Sequence, residues 1–168
     1  MRGRLGPDIR PLTPLPRMET DTASAGPYVK QFSVFLINRA GALLSVVRLL
    51  GDAHVLVLGL SLQDSVDVTV ARLIVSDPET VETLFIERGI PFSTCDLLVV
   101  QLKEGAEALG TCLTAFLQAE TNIHFAYPLL VRGNGLPALA LHLEDIEIGA
   151  AVMQTEGFKI LRQNDISR

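Results

Sequence analysis

Cysteine is scarce in this chain of 168 residues. Cys95 and Cys112 are its only two, and their separation matches no metal-ligand spacing. A chain of this size needs no disulfide framework, so a reducing cytoplasm is the expected compartment. Basic charge is also short: 14 Lys and Arg stand against 19 Asp and Glu, a formal net charge of -5. That leaves no basic stripe of the kind that displaces counterions from nucleic acid, and no nucleic-acid partner is expected. Long uncharged apolar runs are missing as well. The most hydrophobic window, 42–62, carries Arg48, Asp52 and His54 in its middle. Charges there are unfavourable in a bilayer, so the window reads as an amphipathic helix, a turn and a buried strand, and no membrane partner is expected. The N-terminal arginines precede no apolar core, which argues against a signal peptide. Nucleotide and nucleophile signatures of the G-x-x-x-x-G-K-[ST], G-x-G-x-x-G and G-x-S-x-G types do not occur. Nothing assembles a nucleophile, a base and an orienting group, so neither catalysis nor a cofactor is expected.

What is present is ample core material, with 48% hydrophobic and 20% charged residues. Five of the nine prolines fall within residues 1–27, which show little apolar periodicity and read as a flexible extension outside the fold. Beyond them the chain repeats. "LLSVVRLLGDAHVLVLGL" from Leu43 matches "GTCLTAFLQAETNIHFAY" from Gly110 at an offset of 67, and "SDPETVETLFIERGI" matches the segment from 143 onward at 68. A period of this kind organises the whole reading. It gives an extension over 1–27, a first domain over 28–95 and a second over 96–168.

Within the first repeat, Val29–Ile37 reads as a strand and Ala42–Asp52 as a helix whose polar positions, Ser45, Arg48 and Asp52, recur three and four apart. Strands over 55–62 and 66–76 form a hairpin around Asp64 and Ser65. Asp77 as N-cap, Pro78 at the first position and Gly89 past the end bracket a second helix. A strand near 93–100 then runs on into the second repeat. There, Leu109, Cys112, Leu113, Phe116 and Leu117 mark one apolar helix face. Strands over 122–131 and 137–143 flank the turn "RGNG". Asp145 opens a helix that Gly157 ends, and 158–161 closes the repeat. This order, strand-helix-strand-strand-helix-strand taken twice, is the α+β ferredoxin-like sandwich. In the strand before Ser76, Thr69, Ala71, Leu73 and Val75 face the helices. The opposite set, Val68, Val70, Arg72 and Ile74, is still mostly apolar. Units of about 70 residues are marginal alone, so this second face predicts packing of the repeats on each other, on a second chain, or both.

The junction Asn38-Arg39-Ala40-Gly41 joins the first strand to the first helix. Two readings stand. Asn38 caps the helix and Gly41 permits the turn, or free amides at the helix start seat an anion.

"SVFLINRAGALLSVVRLL" resembles the opening of an ACT domain, where a strand ends in an Asn-x-Pro-Gly-type loop before a leucine-rich helix. "AETNIHFAY" is similar to the second strand of that family, and the resemblance spans about 28–164. It implies tandem ACT domains in one chain, a homodimer, and an amino acid or related metabolite bound between paired domains to regulate a metabolic enzyme. It places Asn38, Arg39, Ala40, Gly41, Ala42 and Leu43 at the ligand loop, with the backbone of residues 41–43 receiving a carboxylate. Asn122 and Ile123 would contribute from across the interface. Ala40 stands where the family often has proline. In the second repeat the alignment puts Ala108 opposite Gly41, beside Glu104 and Glu107, so one site per chain is expected. The first half also resembles the small subunit of acetolactate synthase, which makes a subunit acting by contact with a biosynthetic enzyme the alternative reading. His124 and His142 are expected near each other across the second hairpin, short of the three ligands a metal site needs. His54 has no evident partner. Cys112 reads as core, and Cys95 has no basic neighbour to activate it.

Overall fold

The computed structural model describes residues 28–64, 68–131 and 135–167. Residues 1–27, residues 65–67 of the first hairpin (where the strand expected over 66–76 begins), residues 132–134 of the "RGNG" turn and residue 168 lie outside them. The first repeat runs β1 (Val29–Ile37), α1 (Ala42–Asp52), β2 (Val57–Asp64), β3 (Val68–Val75), α2 (Pro78–Glu87) and the start of β4 (Phe92–Gln101). Helix α1 buries Val46 and Leu50, while Ser45, Arg48 and Asp52 are exposed. Strand β2 starts two residues later than the alternation predicts, because His54 takes a left-handed turn at φ 58° and Val55 drops into the core. Asp77 caps α2, its Oδ1 accepting from Thr80 N at 3.1 Å, and Gly89 leaves the helix at φ 63°.

The second repeat begins inside β4 and continues through α3 (Glu107–Gln118), β5 (Ile123–Pro128), β6 (Ala138–Leu143), α4 (Ile146–Thr155) and β7 (Lys159–Leu161). Asp145 caps α4, its Oδ1 accepting from the amides of Glu147 and Ile148, both at 3.0 Å. A short helix, α5 (Gln163–Ile166), follows and has no counterpart in the sequence reading. All strand pairs are antiparallel, in the order β2-β3-β1-β4-β6-β5, with β7 also on β4. Strand β4 serves both repeats: Phe92 to Leu97 pair with β1, and Leu98 to Gln101 pair with β6. The tandem ferredoxin-like architecture is therefore present, as two units sharing one strand.

Three cores hold it together. Phe32, Val34, Ala71, Leu73 and Val75 of the first repeat pack under Val46, Leu50, Val81 and Phe85 of its helices. In the second repeat, Leu98, Val100, Leu141 and Leu143 pack under Cys112, Phe116, Ala150 and Met153. The buried helix pairs Val46/Leu50 and Cys112/Phe116 thus stand 66 residues apart, one fewer than the 67 read from the sequence. The expected apolar face of α3 rotates accordingly: Ala108 and Ala115 are buried, whereas Leu109, Leu113 and Leu117 are exposed, Leu117 by 77%.

The third core lies between the faces that carry no helices. Val29, Leu58 and Ile74 of the first repeat meet Tyr127, Ala138, Ala140, Leu161 and Ile166 of the second. The second apolar faces cover each other within one chain, as the patterning of β3 predicts. The outermost strands, β2 and β5, also meet: Gly59 bridges Leu129, and Leu130 N donates to Leu58 O at 2.8 Å. This draws the sheet back on itself. A bulge at Leu58 turns that side chain inward. Glycine fits closely beside it: a Cβ at 59 would sit 3.0 Å from Leu129 Cδ2 and 3.2 Å from Ile74 Cδ1, so those side chains would have to give way. The bridge also ends β5 at Pro128, three residues short of the expected strand.

Candidate functional site

The loop after β1 is a tight turn held by its own backbone. Arg39 N donates to Ile37 O at 2.8 Å and Ala42 N to Arg39 O at 3.3 Å. Gly41, not Asn38, occupies the N-cap position of α1, at φ 85° and ψ -6°, and no side chain caps the helix. A β-carbon at that φ is strained in an L residue, which is the physical demand behind this glycine. Ser45 turns back to the same carbonyl, donating from both N and Oγ to Gly41 O at 3.0 Å. Among the described residues, the amides of Gly41, Leu43 and Leu44 have no hydrogen-bond partner. Asn38, Arg39, Ala40 and Gly41 are all exposed, and a Cβ at 41 would find nothing within 4 Å. The first turn of α1 carries no acidic residue, so the positive end of the helix dipole is uncompensated. Ala42 and Leu43 anchor the loop from below by packing on the first core. The arrangement can take up a carboxylate through backbone donors alone.

The corresponding loop of the second repeat differs in chemistry. Between Gln101 and Glu107 the left-handed position is Gly105, at φ 65°. Like Gly41, it stands four residues past the end of its strand. Ala108, aligned with Gly41 in the sequence, is the second residue of α3 and is buried, because this loop is one residue longer than the first. Ala108 therefore does not stand in the loop, contrary to the alignment. Glu107 does lie in the first helical turn, where it offsets the dipole. Beside this loop is a cavity of about 160 Å³ bordered by Gln101, Lys103, Glu104, Thr111 and Phe158. Sequence reasoning missed it; the signal was the distance of Gly105 from the strand end.

Asn122 and Ile123 sit elsewhere. Asn122 Nδ2 donates to Glu144 Oε2 at 2.7 Å, and Ile123 packs on the second helix-side core. Among the described residues, no hydrogen bond joins either to residues 38–43 of the same chain. His124 and His142 are neighbours across the second hairpin, ring centroids 5.2 Å apart. Among the described residues there is no group of three or more His, Cys, Asp and Glu side chains arranged to hold a metal ion. Burial pushes the Cys95 thiol up, Asp96 adds to this, and Arg72 opposes it. Cys112 is fully buried and its thiol is raised to about 11 by desolvation, consistent with a core role. No helix among the described residues is long and apolar enough to cross a membrane.

Two ferredoxin-like units in one chain, each with a glycine-turned strand-to-helix loop, make a tandem α+β domain pair. Residues 28–167 match the family model of the ACT domain pair, and the chain belongs to that family. No curated protein matches it in sequence. Among solved structures it is similar to protein BT0572 from Bacteroides thetaiotaomicron, at 20% identity and a TM-score of 0.77 over 85% of this chain and 98% of that one. The regulatory subunit of aspartate kinase from Thermus thermophilus, in its ligand-free form, superposes with a TM-score of 0.56 at 10% identity, covering 79% of this chain and 93% of that one. The aspartokinase alpha and beta subunits do so with a TM-score of 0.52 at 11% identity, covering 75% and 90%. At these identities the likeness is one of fold.

Proposed function

We propose that the chain is a non-catalytic regulatory sensor of the cytoplasm that binds an amino acid or a related metabolite at the loop Asn38–Leu43. The observation that carries this reading is the set of unpartnered amides at Gly41, Leu43 and Leu44, at the start of a helix with no acid in its first turn. The ligand carboxylate sits on those amides, and Asn38 and Arg39 engage its remaining polar groups. A homodimer completes the site, with Asn122 and Ile123 of a second copy reaching the loop from across the interface. Leu44 and Val47 beside the loop are exposed apolar residues that favour such pairing. Ligand binding stabilises one interface geometry, and linkage makes its effect on partner affinity reciprocal. The leucines of α3, exposed at Leu109, Leu113 and Leu117, favour a second reading. In it, a biosynthetic enzyme docks on the helix layer, and the chain acts mainly as a contact subunit.

The test is a thermal-shift panel of the twenty amino acids on the wild type and on Gly41→Asp. A ligand at a hundredfold excess over its dissociation constant adds about 2.7 kcal/mol of apparent stability. One or a few amino acids should raise the wild-type melting temperature and leave a folded Gly41→Asp protein unmoved. Silence across the panel would overturn the amino-acid reading.

A further inference from the structure

Away from both loops, the concave side of the sheet carries a charge that no carboxylate among the described residues pairs with. Arg72 of β3 points to the face shared with Ser33 of β1 and Ser61 of β2, its register partners. Its guanidinium carbon lies 4.3 Å from the centroid of Phe125 on β5, so the cation reaches from the first repeat to the second. Phe125 in turn stacks on its cross-strand partner His142 at 4.8 Å and 11°, and His142 neighbours His124. The one hydrogen bond of Arg72 among the described residues runs from Nη2 to Gln63 Oε1, at 2.6 Å. Gln63 is neutral, and among the described residues no carboxylate pairs with Arg72. A guanidinium presents five N–H donors and does not deprotonate, so donors and charge are both left over. Next to it, Nδ1 of His142 is buried and has no hydrogen-bond partner. Phe35 and Val70, register partners one step along the same face, supply an apolar wall, Phe35 being 42% exposed.

We propose that Arg72 and His142 form a second small-molecule site, on the concave face between the repeats, for a carboxylate carrying a flat apolar body. The guanidinium fork takes the carboxylate, the His142 ring turns to bring its unpartnered Nδ1 to the same group, and Phe35 and Val70 cover the body. This site is separate from the β1–α1 loop and stands or falls independently of it.

The chain has three histidines, His54, His124 and His142, whose ring C2–H signals can be followed by proton NMR on the full protein. The probe is sodium benzoate, with benzyl alcohol as the body without the charge and sodium phosphate as the charge without the body. Burial first, then His124 and Arg72, hold the His142 imidazole below its ordinary pKa. A bound carboxylate reverses that pressure. Benzoate should therefore shift the His142 signal saturably, raise its titration midpoint and leave His54 unmoved. Arg72→Gln should weaken benzoate about tenfold or more, as loss of a charged hydrogen-bond partner implies. Arg72→Lys keeps the charge without the fork and should fall between; it carries the test if Arg72→Gln does not fold. Gly41→Asp should respond like the wild type. The inference is overturned if His142 shows no saturable shift at millimolar benzoate, or if the arginine variants bind as the wild type does. It is equally overturned if either control acts as strongly as benzoate, or if Gly41→Asp abolishes the response.

Discussion

The two repeats solve the same packing problem with opposite distributions of bulk. In the first, Leu50 of α1 and Val81 and Phe85 of α2 fill the core. In the second, Phe116 stands at the place of Leu50, Gly149 at that of Val81 and Met153 at that of Phe85. The large ring has moved from one helix to the other. Gly149 faces the same space: a Cβ there would collide with Leu143 Cδ1 and come into contact with Phe116 Cε1 at 3.4 Å. Duplicated units can therefore keep a fold while exchanging volume between facing positions, as long as total volume is held.

The strongest way to break the comparison is to empty both cores at the matched helix position. Phe85 is fully buried and packs edge-on to Phe32 at 5.9 Å and against Phe92 at 5.6 Å. Phe85→Ala should lower stability by about 4 kcal/mol and Met153→Ala by about 3 kcal/mol, read by denaturant unfolding. Equal losses would deny that the aromatic cluster distinguishes the first core. A smaller effect sharpens the exchange of bulk itself. Gly149→Val should destabilise by about 2 kcal/mol through overpacking. Adding Phe116→Leu, which restores the first repeat's arrangement, should recover about 1 kcal/mol of it as coupling between touching sites. Strict additivity would show that the ring and the glycine are unrelated.

The smallest effect concerns the caps. Asp77→Ala and Asp145→Ala should each cost about 1 kcal/mol. The Asp77 carboxyl is held below its ordinary range by hydrogen bonds from the side chain and then the backbone of Thr80. Its stabilisation is complete above the ordinary carboxylate pKa and is lost as pH falls through the lowered one. Asp77→Asn should remove that part of the acid dependence, measurable as a flatter stability curve below about pH 4.

Much of this was legible because it is local. Asp77 and Asp145 with their helices, Gly89 and Gly157 past the helix ends, and the alternation of Ala71, Leu73 and Val75 are all read within a turn or two of chain. The β1–α1 loop was legible as a glycine turn, but its cap was not. Asn38 lies too early to serve, and the left-handed Gly41 takes the position. The repeat offset slipped by one because Leu113 and Leu117 look like core residues. Only the packing of α3 shows that Cys112 and Phe116 are buried while those leucines stay exposed. The closure of β2 on β5, the placement of α5 and the stack of Arg72 on Phe125 join residues far apart in sequence. No local pattern encodes such meetings.

Strand β4 has a consequence for how the halves communicate. Its ten residues are divided between β1 of the first repeat and β6 and β7 of the second, and a strand cannot slide by one residue without turning every side chain to the other face. Leu97 and Val99 would leave the central core just as Leu98 and Val100 entered it. The strand is thus a rigid splice, with no intermediate position in which one repeat has shifted and the other has not. A change of register in either repeat would break the pairing of the other, so the two domains share one alignment along this strand.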